Sequence, residues 1–306
     1  MEETVYVNEK GERLDGRKVD ELRPIKIVPS VLSRAEGSCY IEWGQNKAIA
    51  GVYGPREALP QHIQDPTKAL VDFVYRMATF SVPDRKSPRP GRRDIEISKV
   101  CGEALARAIF LERFPNTTID IYVQIFDSNA GTRITALTAA SVALADAGIP
   151  MRDLVCGVSV GKAGGKIILD LNKEEEDAPD AVDLPIAMLP RTKEIVLLQM
   201  DGLLKKEEWQ QAYSLAVKGC EEIYKKQVEA LKKKYKAKEE PQEAAPAESR
   251  EKPQEKPQEK SQEEEKIKKE RVEEIKKEME AQIKEIKEKK KPKIEELHLG
   301  EGGDNQ

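Results

Sequence analysis

Residues 118–147 read TIDIYVQIFDSNAGTRITALTAASVALADA, and this stretch decides the fold. Over 118–126, Ile119, Ile121, Val123 and Ile125 fall on every second position, the period of a half-buried strand. A polar turn follows at 127–131. Residues 132–147 then read as a helix rich in Ala, Thr and Ser, whose small side chains let it pack closely against its neighbours. Gly148-Ile149-Pro150 is a strong helix stop.

Working outward, the first hundred residues alternate strand-like runs with turn signals, at 24–29, 38–43, 47–53 and 70–75. A helix is predicted over 94–114, with Ile95, Val100, Cys101, Ala104, Leu105, Ala108 and Ile109 on its buried stripe and Pro115-Asn116 ending it. Downstream, strands are expected at 155–161, 166–171, 184–189 and 194–200, followed by an Asp201-Gly202 turn and a long helix over 206–235. The mixture lacks a regular βαβ alternation, so an α+β architecture is favoured over a doubly wound sheet.

Composition divides the chain near residue 236 into a body, 1–236, and a charged tail, 237–306. The chain carries 52 Lys and Arg against 56 Asp and Glu, a net charge of −4. The negative balance sits in the tail, leaving the body nearly neutral. Such a body can bind nucleic acid only by concentrating its positive charge in one place. No aromatic residue follows Tyr235, and EKPQ, EKPQ, EKSQ over 251–262 cannot bury enough apolar surface to offset its ordering entropy. Between 263 and 291, Glu-to-Lys pairs four apart and the positions of Val272, Ile275, Met279 and Ile286 are compatible with a solitary helix. It is either a solvated charged helix or a short partner-binding seam.

Cys39, Cys101, Cys156 and Cys220 stand far apart, and His62 and His298 are the two histidines, which argues against a zinc site or a disulfide framework. No run approaches the roughly 20 apolar residues needed to span a bilayer. The charged residues 1–17 lack the apolar stretch of a signal peptide. A cytoplasmic location without membrane association is expected.

Three segments carry chemistry. Asn129-Ala130-Gly131-Thr132-Arg133 reads either as a small-residue turn capped through Thr132 or as a phosphate cradle. Arg133 favours the cradle, because a cation in the first helical turn opposes the macrodipole unless an anion sits there. Pro90-Gly91-Arg92-Arg93 poses the same question at the next helix start, as a solvated loop or as a contact to a polyanion. Asp177 and Asp183, in EEEDAPDAVDLP over 174–185, form either a solvated acidic connector or a carboxylate pair. In a pair, one member can keep a proton as general acid while the other binds a divalent ion.

The segments RLDGR at 13–17, YGPRE at 53–57, GRRDIEISK at 91–99, NAGTR at 129–133, ALADAGIPMRDLV at 143–155, and D-x5-D followed by LPIAM resemble the RNase PH family. More narrowly, they resemble its catalytic ring subunits in archaeal RNA exosomes. The resemblance spans about 11–235 and leaves the tail uncovered. It implies an RNase PH-like fold and a hexameric ring, a trimer of heterodimers, shared with a non-catalytic RNase PH-like sister subunit under RNA-binding cap subunits. It also implies phosphorolysis of single-stranded RNA from the 3′ end to nucleoside diphosphates, with inorganic phosphate as co-substrate, and a reverse reaction that adds 3′ tails. Carried over by position, Gly131, Thr132 and Arg133 bind the attacking phosphate, and Arg92 and Arg93 grip the last phosphodiesters. Asp177 acts as general acid, Asp183 holds Mg2+ or Mn2+ with Asp177 beside it, and the loop from Arg56 to His62 lines the ring's RNA entry. A non-catalytic RNA-binding scaffold of the ring and a stand-alone RNase PH that trims transfer RNA remain the alternatives.

Overall fold

The computed structural model describes Tyr6 and residues 12–239. Along the chain come β1 (Ile25–Pro29), β2 (Gly37–Trp43), β3 (Asn46–Glu57), β4 (Leu70–Met77), α1 (Arg92–Ala108), β5 (Thr117–Asp127) and α2 (Thr132–Asp146). They are followed by β6 (Cys156–Ala163), β7 (Lys166–Leu169), α3 (Lys173–Glu176), β8 (Val182–Leu189), β9 (Glu194–Leu198) and α4 (Lys206–Glu239). The strands form two sheets. The first has the order β1-β2-β3-β5-β4 and the second β7-β6-β8-β9. All pairings are antiparallel except β4 with β5, whose parallel register is made possible by the long return through α1.

The 118–147 stretch behaves as its pattern predicts. Ile119, Ile121, Val123 and Ile125 are buried on one face of β5, and α2 lies between the two sheets, touching β2, β3 and β5 on one side and β6 and β8 on the other. Nearly every side chain of α2 is therefore buried, which explains its composition: Ala and Thr let two sheets approach one helix. A Cβ at Gly37 in β2 would run into the Ala143 carbonyl and the Ala147 backbone, so only glycine permits this approach. Burying Ile134, Leu137, Val142 and Leu144 contributes roughly 1.5–3 kcal/mol each. α1 covers β4 and α4 covers β6 and β7, closing the core on the outer sides.

Several expectations are corrected. The first helix ends at Ala108, because Ile109 turns extended and bridges Met151, the Phe110 amide donates to the Pro150 carbonyl at 3.1 Å, and Leu111–Arg113 forms only a 3₁₀ turn. Its buried stripe includes Ile97, while Ile95 is 60% exposed. The short helix α3 stands where the sequence reading expects a connector, since four residues show no periodicity. The long C-terminal helix continues through residue 236 to Glu239. The helix predicted at 263–291 lies outside the described residues.

Candidate active site

The turn between β5 and α2 is built by two consecutive residues with positive φ, Ala130 at 52° and Gly131 at 65°. The buried Asn46 side chain holds it, donating to the Ala130 carbonyl at 2.6 Å and accepting from the Asn129 amide. Arg23 supports it from behind, donating to the Asn129 carbonyl. A Cβ at Gly131 would come within 3.2 Å of the Arg23 guanidinium. Arg23 is itself fixed by Asp170, which accepts from its Nε at 3.0 Å and from its Nη2 at 2.7 Å, and also from Trp43 Nε1 at 2.9 Å. Burial alone would raise the Asp170 carboxyl. The Arg23 charge, with hydrogen bonds from Arg23 and Trp43, overcomes that effect and holds it below its ordinary value. A buried ion pair thus joins the end of β7 to the turn.

This scaffold aims the N-terminus of α2 outward without a cap. Gly131 has no side chain to offer and no acidic residue occupies the first turn. The Thr132 hydroxyl accepts from Tyr75 Oη at 2.9 Å, and burial pushes that phenol up to about 12, so it remains a donor. The free amides of the turn and the Arg133 guanidinium therefore present positive potential at one point. The neighbouring helix start differs in that Asp94, in its first turn, caps it. The Gly91 amide donates to Asp94 at 2.8 Å, and Arg92 and Arg93 before it are exposed, without an ion pair among the described residues.

Asp183 sits near the start of β8, opposite Gly161 of β6, and its carboxylate accepts from Ser159 Oγ. Burial pushes this carboxyl up. The Ser159 hydrogen bond opposes the shift, the Glu176 charge reinforces it, and Arg133 and Arg93 oppose it. Arg133 in the first turn of α2, Arg93 at the start of α1 and Glu176 at the end of α3 are thus the charged groups whose fields bear on Asp183.

Asp177, the other carboxylate expected here, stands differently. It is 62% exposed and pairs with Lys173 one helical turn back at 2.6 Å. The preceding residue, Glu176, is 25% exposed, lies 3.7 Å from the same Lys173, and its charge helps to raise the Asp183 carboxyl. Arg56 and His62 lie elsewhere: Arg56 is near the far end of β3, ten residues from Asn46 or about 33 Å of strand. Its guanidinium rests over the Tyr53 ring, 3.7 Å from Asp120, and His62 is exposed on a 3₁₀ turn beyond.

Four residues at or beside this centre were not singled out by sequence reasoning: Glu176, Ser159, Glu96 and Gln199. Glu96, four residues after Arg92 on α1, could have been found by helical spacing. The others depend on strand pairing and on the rotation of α3, which leave no local pattern. For a divalent ion, Asp183 and Glu176 offer the hard oxygen donors that Mg2+ or Mn2+ takes. Among the described residues no group of three or more His, Cys, Asp or Glu side chains could hold a metal by itself. Such a donor set suits an ion completed by substrate phosphates and water.

Residues 21–150 match the first domain of the 3′ exoribonuclease family and residues 153–219 its second. The chain is 57% identical over 229 residues to the exosome complex component Rrp41 of Pyrococcus furiosus, covering 75% of this chain and 91% of that protein. It is 55% identical over 230 residues to the same component of Thermoplasma volcanium, covering 75% and 92%. Among solved structures, it superposes on rice Rrp46 with a TM-score of 0.63 at 24% identity, covering 70% of this chain and 98% of that one. It also superposes on a chain of the Archaeoglobus fulgidus exosome with RNA bound to the active site, with a TM-score of 0.60 at 21% identity over 74% and 93% of the two chains. Among the described residues no helix is long and apolar enough to cross a membrane. The chain belongs to the 3′ exoribonuclease, or RNase PH, family.

Proposed function

We propose that this chain is the catalytic ring subunit of an RNA exosome, removing nucleotides from the 3′ end of single-stranded RNA by phosphorolysis. The observation that carries the reading is the uncapped N-terminus of α2, with Arg133 in its first turn bonded to Glu96 of α1, the helix that opens with Arg92 and Arg93. A site that served hydrolysis would need no second anion cradle beside the one for the RNA backbone. Two cationic stations flanking one carboxylate suit an attacking phosphate and a phosphodiester that would otherwise repel each other.

In this mechanism the amides of Gly131 and Thr132 and the Arg133 guanidinium hold inorganic phosphate. Arg92 and Arg93 hold the last phosphodiester. A phosphate oxygen attacks the terminal phosphorus, the bond to the 3′ oxygen breaks, and that oxygen takes a proton, releasing a nucleoside diphosphate. The sequence pattern assigns proton delivery to Asp177. Glu176 is the competing candidate, since it is 25% exposed against 62% for Asp177, and Lys173 lies 3.7 Å from Glu176 as well as pairing with Asp177. Asp183, with whichever of Asp177 and Glu176 does not deliver the proton, would hold a Mg2+ or Mn2+ ion, which when bound neutralises charge building on the phosphoryl oxygens. The partners that fit are a non-catalytic sister subunit completing a hexameric ring and RNA-binding caps above it, with Arg56 and His62 contributing to RNA entry.

Single-stranded RNA incubated with the full chain, with and without the sister subunit, in phosphate and in phosphate-free buffer, tests the reading. Nucleoside diphosphates released only with phosphate support it. Monophosphates released without phosphate would establish hydrolysis, and inactivity under all conditions would leave a scaffold.

A further inference from the structure

Glu96 lies on the same helix as the RNA-facing arginines, one turn beyond Arg92, yet its carboxylate serves the other anion station. One oxygen accepts from Arg133 Nη2 at 3.2 Å and the other from Gln199 Nε2 at 2.6 Å. Gln199 follows β9 directly, and its amide donates to the Pro185 carbonyl at 3.2 Å, two residues along β8 from Asp183. A three-residue bridge, Arg133–Glu96–Gln199, therefore links α2, α1 and the strand that carries Asp183. Two of its polar atoms are buried without a partner, Arg133 Nε and Gln199 Oε1. Orphaned atoms of this kind are costly, so the bridge holds its geometry against a local penalty.

The charge arrangement looks self-defeating for phosphate binding, since Glu96 places a negative charge beside the guanidinium that is to hold an anion. Its value is geometric. Arg133 has five N–H donors, and among the described residues only Nη2 donates to a protein group. One anchored end stops the long side chain from sweeping through its rotamers; Nε is buried, so the donors left for a ligand are those on the two Nη groups. Gln199 in turn fixes Glu96, which is 41% exposed and would otherwise swing into solvent.

We propose that Glu96 is a positioning residue of the phosphate station, orienting the Arg133 guanidinium through a bridge locked by Gln199. This rests on the reading of Arg133 as a phosphate-binding group.

The test is phosphorolysis and direct calorimetric titration with inorganic phosphate, in the full chain alone and assembled with its sister subunit, for wild type, Glu96→Ala, Glu96→Gln, Gln199→Ala and the double variant Glu96→Ala/Gln199→Ala. The expected result for Glu96→Ala is a phosphate KM and Kd raised roughly 10- to 100-fold, the range that misplacement of a binding group reaches. RNA affinity in phosphate-free buffer should stay within about twofold, which also shows that the variant folds. Glu96→Gln should recover part of the loss, because an amide still accepts from Arg133. The double variant should be no worse than Glu96→Ala, since both substitutions act through one bridge. Unchanged or tighter phosphate binding in Glu96→Ala would overturn the proposal and show that Glu96 merely competes with the anion. Full additivity of the two single effects would overturn it as well. If wild type neither binds phosphate nor releases diphosphates, the phosphorolytic reading itself fails. If wild type does both and Glu96→Ala matches it, only the positioning role fails.

Discussion

Exchanging the two adjacent carboxylates at the end of α3 separates the geometry from the sequence spacing. Glu176→Gln keeps the size of the side chain and removes its charge and its ability to deliver a proton. A positioned general acid accounts for about 100- to 10,000-fold in rate, so turnover should fall by that factor. Asp177→Asn removes an ion pair in which Lys173 and Asp177 are 57% and 62% exposed, an interaction that contributes about 0.2–1 kcal/mol to stability. Lys173 keeps Glu176 as a neighbour at 3.7 Å, so α3 is not stripped of charge pairing. Asp177→Asn should thus retain turnover within a few-fold. The assay is single-turnover release of nucleoside diphosphate from a 3′-labelled RNA at saturating phosphate, with ring assembly and RNA affinity measured in parallel. Collapse in Asp177→Asn with near-normal turnover in Glu176→Gln would refute the placement. It would show that Asp177 leaves Lys173 and enters the centre when substrate binds.

Replacing Arg92 and Arg93 together with Ala should weaken RNA binding and reduce its salt dependence by about 1.4 log units per decade of salt, roughly 0.7 for each phosphate no longer neutralised; filter binding from low to high salt measures both. Asp170→Asn should destabilise the fold by about 3–5 kcal/mol at neutral pH, because it strips the buried Arg23 of its counter-charge. Since the folded Asp170 is held below its ordinary value, its contribution is fully present above the usual carboxylate range and disappears as pH falls through the folded value. Urea midpoints of wild type and variant should therefore converge on acidification; a gap independent of pH would show that packing is responsible. Removing residues 242–306, a segment that contains none of the proposed site residues, should leave turnover within a few-fold; a larger loss with the ring intact would place part of the site in the tail.

Much of the body is legible in the chain because its signals are local. Alternation identifies β5, small residues identify the helix squeezed between two sheets, and Gly148-Ile149-Pro150 ends that helix near the expected place. The arginines at two helix starts stand out for the same reason: they are electrostatically out of place whatever surrounds them. The end of α1 escapes local reading because its last predicted turn gives way to a long-range bridge, Ile109 with Met151, for which no local pattern prepares. Ile95 and Ile97 show the same limit in miniature, two identical side chains of which packing against β4 and β9 selects one.

The carboxylates of α3 mark where local reading ends. Asp177 and Asp183 stand out through their spacing, but spacing along the chain does not say which way a four-residue helix is turned. Successive side chains on a helix point about 100° apart, so the choice among Glu174, Glu175, Glu176 and Asp177 is a choice of rotation. That rotation is set by Arg13, 162 residues earlier, whose Nε donates to Glu175 at 2.7 Å while its Nη2 grips the second oxygen and the Asp170 carbonyl. Both side chains of the pair are fully buried, so Glu175 is fixed inward. With Glu175 so held and Asn172 capping the helix start, Glu176 is left 25% exposed and Asp177 62% exposed, both within ion-pair reach of Lys173. Arg13 also donates to the Leu169 carbonyl at 2.6 Å, beside the Asp170 that anchors Arg23 behind the turn that opens α2. One buried cluster of arginines and carboxylates thus supports both sides of the site. It fixes the rotation of α3 and holds the turn that opens α2.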